Sequence, residues 1–360
     1  MNQDSFKLTS YFGERQRTDG GFAADALLDL YGRHEIATSI LLRCAEGFGA
    51  RHRLRTDRSL TLSDDLPLVA VAVDSRPRIK EVLEPTARLL SAGLVTLERA
   101  QLLSGGMKTL ALRDEVHEET KLTIYLGRQE RVYRVPAFAA VCDLLYRRGV
   151  AGATAMLGVD GTAHGVRHRA AFFARNAGVP LMIIAVGEGR RVAAVLPRLG
   201  ALLERPLMTL ERIRVCKRDG AKLAEPGELP RSDPSGLGVW QKLMIYAGEQ
   251  WRHAGHPLHA QLIRALRHAR ADGATSIRGI WGYHGDHAPH GDSFWQVRRR
   301  VPVVTIVIDT PDRVRRWFAI VDELTDETGL VTSEMVPALH VVAPDAERGG
   351  VRLAERVVGS

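Results

Sequence analysis

Three stretches of the chain repeat one order of apolar and polar side chains: Lys7-Leu8-Thr9-Ser10-Tyr11-Phe12-Gly13, Lys121-Leu122-Thr123-Ile124-Tyr125-Leu126-Gly127 and Lys242-Leu243-Met244-Ile245-Tyr246-Ala247-Gly248. Successive side chains of a strand point to opposite faces, so Leu122, Ile124 and Leu126 share one face while Thr123 and Tyr125 share the other. The copies begin 114 and 121 residues apart, which predicts three copies of one unit.

Each copy continues in the same way. Helical spacing follows the first strand at Ala23, Ala26, Leu27 and Leu30, at Phe138, Val141, Cys142 and Leu145, and at Leu258, Leu262 and Leu266. In the first copy Ala37 to Cys44 reads as a second strand, and the Gly47-Phe48-Gly49 turn opens a polar loop running to Asp65. Leu66 to Val73 is a third strand. Ile79, Val82, Leu83, Leu89 and Leu90 mark a second helix, in which Pro85 predicts a kink or an early end. Gly93 begins the last strand. The order is βαββαβ, a ferredoxin-like unit, and the fold class is α+β.

The predicted boundaries are residues 5–104, 120–217 and 240–343 for the units, 105–119 and 218–239 for the linkers, and a frayed tail from 344. The third strands, Leu68 to Val73, Leu181 to Val186 and Val303 to Ile308, are apolar on both faces. A lone sheet with helices on one side would alternate instead. The expectation is therefore three sheets packed face to face with helices outside, an intramolecular pseudo-trimer.

Composition narrows the class of protein. At 45% hydrophobic and 26% charged, with no apolar run of membrane-spanning length and no signal-peptide pattern at Met1, the chain reads as a soluble cytoplasmic protein. Cys44, Cys142 and Cys216 are odd in number and lack C-x-x-C spacing, as expected of reduced core thiols. The +8 charge is mostly arginine and suits anionic ligands.

The K-L-x-x-Y-x-G start, Glu46-Gly47-Phe48-Gly49-Ala50, Ser63-Asp64-Asp65-Leu66-Pro67 and Gly93-Leu94-Val95-Thr96-Leu97-Glu98 resemble the PII-like domain-of-unknown-function family number 190, in three tandem copies. The match is closest in the first copy and poorest in the second, where Gly161-Thr162-Ala163 replaces the Gly-Phe-Gly turn. The resemblance implies a PII-like fold with ligand clefts between units, beneath the loop joining strands two and three. It also implies signalling through an adenine nucleotide or other small effector, and a membrane transporter or ion channel as partner. The Gly-rich phosphate loop of the nitrogen-regulatory proteins is missing: Leu90-Ser91-Ala92-Gly93, Leu203-Glu204-Arg205-Pro206 and Glu327-Thr328-Gly329 stand in its place.

The candidate ligand residues are accordingly the turn Gly47, Phe48 and Gly49, with the loop arginines Arg51, Arg53, Arg55, Arg167, Arg169, Arg298, Arg299 and Arg300, whose guanidinium forks match phosphate oxygens. A divalent metal is the alternative ligand, held by His284, Asp286, His287, His290 and Asp292, because seven of the thirteen histidines fall between His253 and His290. Glu98, Glu211 and Glu334, repeated at the fourth strands, read as rim ion pairs. Tyr11, Tyr125 and Tyr246 sit where RNA-recognition sheets carry stacking aromatics, but the aliphatic third strands argue against nucleic acid. No catalytic triad, nucleophile elbow or acid pair is recognisable, so the expectation is a non-enzymatic regulator acting as a monomer.

Overall fold

The computed structural model describes residues 4–49, 52–57, 65–104, 118–169, 179–285, 288–291, 301–325, 328–343 and 346–355. Among these, six helices and the strands around them form three repeats of one element order, here called units one, two and three. The helices are α1 (Ala23–Arg33) and α2 (Arg76–Leu89), α3 (Ala137–Arg147) and α4 (Gly189–Leu202), and α5 (Leu258–His268) and α6 (Pro311–Leu324).

Within each unit the strands pair antiparallel in the order second, third, first, fourth. In unit one these are Thr38–Arg43, Pro67–Ser75, Asp4–Gly13 and Gly93–Ser104. In unit two they are Gly152–Leu157, Pro180–Glu188, Glu119–Gly127 and Leu207–Arg212. In unit three they are Ala274–Arg278, Pro302–Asp309, Trp240–Gly248 and Leu330–Val336.

The third strands are buried on both faces, as their composition requires. Val69, Val71 and Val73, Met182, Ile184 and Val186, and Val304, Ile306 and Ile308 all belong to a single core to which the three units contribute. The alternate residues Leu68, Ala70 and Ala72 pack beneath the helices of unit one, and Leu181, Ile183 and Ala185 beneath those of unit two. The tyrosines of the first strands lie in or against the shared core: Tyr125 and Tyr246 are 5% and 4% exposed within it, and Tyr11 packs against that core. They offer no open platform for bases. The three cysteines are free and buried.

Two pairings tie each unit to a neighbour, and each recurs in cyclic order. The short strand after the second strand leaves its own unit: Glu46–Phe48 pairs with Ala274–Ser276 of unit three, Asp160–Ala163 with Thr38–Leu41 of unit one, and Trp281–His284 with Gly152–Ala155 of unit two. The ends of the fourth strands do the same. Gln101–Ser104 joins Leu207–Leu210, Arg214–Arg218 joins Leu330–Ser333, and Ala338–Val342 joins Gly93–Leu97.

Several local expectations are corrected. Glu46–Phe48 is a strand and not the opening of a loop, because its backbone completes the sheet of another unit. Helix α2 runs through Pro85, and α4 runs likewise through Pro197. Both prolines lie away from the buried stripe, where a carbonyl freed by the missing N–H can turn to water. The tail is ordered in part: Ala346–Gly350 pairs with Leu339–Ala343, and Ala354 is fully buried. Among the described residues no helix is long and apolar enough to cross a membrane.

Candidate functional site

The repeated motif places a lysine near the start of each first strand, on the inward face, directly across from a glutamate on the fourth: Lys7 from Glu98, Lys121 from Glu211, Lys242 from Glu334. Each of these pairs is 3.1 Å apart. Each lysine also reaches the glutamate of another unit: Lys7 to Glu211, Lys121 to Glu334 at 2.5 Å and Lys242 to Glu98 at 2.7 Å. The result is a closed ring of six alternating charges in which every group is shared by two units, with all six side chains at most 8% exposed. Thr96 and Thr209 add hydroxyl donors to Glu98 and Glu211 at 3.1 and 3.4 Å.

Burial alone would push these carboxyls up and these ammoniums down. For Glu98 burial is opposed and outweighed by Lys242, Lys7 and Lys121, and its pKa ends well below the usual range. Glu211 is also lowered, by Lys121 and Lys7 against burial. Lys7 and Lys242 end raised, because the glutamates overcome the loss of water, whereas burial prevails at Lys121 and lowers it. The expectation of rim ion pairs is corrected: these glutamates are central and buried. The signal was present in the sequence, as a lysine on the first strand and a glutamate on the fourth recur at the same place in all three copies. The three carboxylates approach within 4.8 Å of one another, a spacing that could hold a metal ion. Three ammoniums already lie among them, so a cation would have to displace a lysine.

The second candidate region is the set of seams between units. Gly47, Gly161 and Gly282 occupy equivalent places on the bridging strands, and each faces backbone of the neighbouring unit. A Cβ there would lie 2.8 Å from the Ala274 oxygen, 2.1 Å from the Ser39 oxygen and 2.2 Å from the Ala153 oxygen. The next residue plugs the neighbour. Phe48 is 4% exposed within the helix-covered core of unit three, Thr162 donates to the Ile36 carbonyl at 2.9 Å, and the Tyr283 hydroxyl donates to the Val150 carbonyl at 3.0 Å. Gly49 is exposed.

The arginines divide. Arg167 is held by Asp160 at 2.6 Å, by Asp25 at 3.7 Å and by Asp29, and Arg169 by Asp25 at 3.0 Å, so both clamp the bridging strand of unit two to α1. Arg55 pairs with Asp65 at 2.8 Å, and Arg53 is exposed. Arg278, which no motif singled out, bridges Asp57 of unit one at 2.6 Å and Glu249 of its own unit at 2.9 Å. Arg51 and Arg298 to Arg300 lie outside the described residues, as do Asp286, His287 and Asp292. Of the other two metal candidates, His284 is a buried strand residue 4.0 Å from Asp219 and beside the Trp251 ring, and His290 Nδ1 lies 3.0 Å from the Ala288 carbonyl oxygen. A narrow cavity at the seam of units two and three is lined by apolar and backbone groups of Gly152, Val186, Tyr246 and Pro302, with His284 at its wall.

Comparison with known proteins places these features in a family. Over 100 residues the chain is 27% identical to the UPF0166 protein of Aquifex aeolicus (strain VF5), a match covering 28% of this chain and 92% of that one. Among solved structures, aspartate kinase from Synechocystis gives a TM-score of 0.24 at 12% identity, over 94% of this chain and 45% of that chain. CrmK, a flavoenzyme involved in the shunt product recycling mechanism in caerulomycin biosynthesis, gives 0.20 at 14% identity, over 81% and 56%. At such TM-scores neither likeness bears on the fold or the activity. The family model of domain-of-unknown-function number 190, described as "Uncharacterized ACR", matches residues 5–102, 119–215 and 240–338, and the chain belongs to that family, carrying its domain three times.

Proposed function

We propose that the chain is a single-chain, PII-like regulatory module, in which three ferredoxin-like units packed as a pseudo-trimer hold a small anionic effector of nucleotide type at a seam and engage a partner through the segments joining second and third strands. The observation that carries this reading is the cyclic exchange of bridging strands, which builds every seam from two units. A ligand seated at a seam would touch both units and bias the segment that follows the bridging strand. The seam of units one and three suits an anion best. Arg53 is exposed on the segment that follows the bridging strand Glu46–Phe48, whereas Arg167 and Arg169 are already neutralised by three aspartates, and Arg278, which joins the two units, by Asp57 and Glu249. On this reading the module performs no chemistry on its effector and works as a monomer.

Calorimetry of the full chain against ATP, ADP and cyclic AMP tests the reading. The expected result is binding of at least one nucleotide, weakened about tenfold or more by Arg53→Glu, since a phosphate contact is both lost and reversed. Arg169→Gln should leave it unchanged, and the nucleotide should be recovered intact. Absence of binding by all three nucleotides would remove the effector reading.

A further inference from the structure

The net charge is carried by one unit. Residues 119–215 hold 15 Lys and Arg against 7 Asp and Glu, while residues 5–102 hold 14 against 13 and residues 240–338 hold 12 against 11. Exposed apolar side chains are commonest in the same unit: of the six large hydrophobics exposed among the described residues, Tyr133, Val135, Val159 and Val166 belong to unit two, while Phe22 lies in unit one and Leu223 between units two and three.

The fold collects several of these groups at one end of unit two. The hairpin Arg131–Val132 and Val135–Pro136 follows the first strand, and buried Val132 anchors it to the helical core. At its tip Tyr133 and Arg134 take left-handed backbone, φ 47° and 72°, and Arg131 Nη1 donates to the Arg134 carbonyl at 2.8 Å. The tip is therefore a braced prong, from which Tyr133 projects 93% exposed and Val135 48% exposed. Arg128, Arg131 and Arg134 are exposed around it. The turn after α4 leaves the same core, since Leu203 packs in the cluster that holds Val132, and Glu204 and Arg205 follow it, both exposed. Units one and three differ at the matching place: they have Glu14 and Glu249 where unit two has Arg128, and each is neutralised, by Arg43 and Arg278.

We propose that this end of unit two docks on an anionic lipid surface, with Arg128, Arg131, Arg134 and Arg205 on the headgroup phosphates and Tyr133 and Val135 entering the interface. The shape favours lipid over other polyanions. The feature is a convex prong with an apolar tip and a basic collar, which matches the layering of headgroup over hydrocarbon. A nucleic-acid backbone would satisfy the collar and offer nothing to the tip. The proposal is independent of the effector reading, because none of these residues lies at the seam of units one and three.

Co-sedimentation of the full chain with vesicles tests it. We expect binding to mixed phosphatidylcholine and phosphatidylglycerol vesicles, falling with salt, and none to phosphatidylcholine alone. Arg131→Glu with Arg134→Glu should weaken binding by roughly thirtyfold or more, from the contribution of each basic residue near such a surface. Arg128→Glu with Arg205→Glu, which spares the hairpin backbone, should do the same. Tyr133→Ala should weaken binding several-fold at any salt, and Lys80→Glu with Arg88→Glu on α2 should change nothing. Equal binding to neutral vesicles, no binding to either kind, insensitivity to both arginine pairs, or tighter binding to duplex DNA or polyglutamate would each overturn the proposal.

Discussion

Lys242 Nζ lies 2.7 Å from Glu98 Oε2, joining the first strand of unit three to the fourth strand of unit one across 144 residues of sequence. The same ammonium is 3.1 Å from Glu334 in its own unit, so one lysine records both the strand register within a unit and the placement of the next unit. A one-residue slip would turn the charge into a helix-covered apolar layer, a far costlier error than the mismatch of one aliphatic contact. We regard the ring as the key that fixes the mutual register of the three units.

Lys242→Met should therefore be strongly destabilising. Among the described residues it leaves Glu98 with Lys7 as its one remaining ammonium within 4.0 Å, and removing one partner of a buried pair costs about 3–5 kcal/mol. Adding Glu98→Gln should recover part of the loss, since the orphaned charge is then gone. Urea midpoints of the two variants and the wild type test this. A single variant within about 0.5 kcal/mol of wild type would show that the ring contributes no register energy.

The ring also sets the pH range of stability. Glu98 and Glu211 are held below their unfolded values, so their contribution is present above about pH 4 and is lost as pH falls through the folded values. Lys7 and Lys242 are raised, so theirs is present below about pH 10 and is lost as pH rises beyond it. Lys121 is lowered, so deprotonation there relieves a cost and makes the alkaline limb shallower than three raised lysines would give. Thermal unfolding across pH should show a broad plateau with a steeper acid limb, and Lys121→Met should steepen the alkaline one. A stability maximum confined to a narrow range near neutrality would contradict this.

The three thiols provide a probe of the same packing. Burial raises Cys142 and Cys216 to about 12 and raises Cys44 as well, and none is exposed. A thiol-reactive dye at neutral pH should label none of them in the native protein and all of them in denaturant. Rapid native labelling of Cys44, which lies in the shared core, would mean that the units separate readily.

Much of this arrangement was legible from local pattern. The three units follow from the repeated strand motif, and the burial of the third strands on both faces follows from their having no polar face. What local pattern could not supply is which unit a given residue serves. Gly47 and Phe48 look like a ligand turn in sequence, yet their roles are set by Ala274 of a unit some 220 residues away. Glu98 looks like a rim residue because, beyond Lys7 of its own sheet, its partner Lys242 is near only after the units close. Arg167 looks available until Asp25 and Asp29 of another unit are placed beside it.

The bridging glycines give the sharpest separation of structural from ligand roles. At Gly161 an added methyl would sit 2.1 Å from the Ser39 carbonyl oxygen and 2.8 Å from Pro180 Cγ, and the first of these is strand backbone that cannot yield without breaking the pairing of units one and two. At Gly49 nothing lies within 4 Å of the same methyl. Gly161→Ala should therefore cost about 3 kcal/mol, at the upper end of overpacking penalties, and should open the bridging strand to proteolysis near Asp160. Gly49→Ala should be neutral within about 0.5 kcal/mol. Effector binding, measured on both, should respond in the opposite way, with Gly49→Ala disturbing a ligand at the seam of units one and three and Gly161→Ala leaving it intact at temperatures where the chain is folded. Equal destabilisation by the two substitutions would mean that the close approach at Gly161 is not what holds that strand in place.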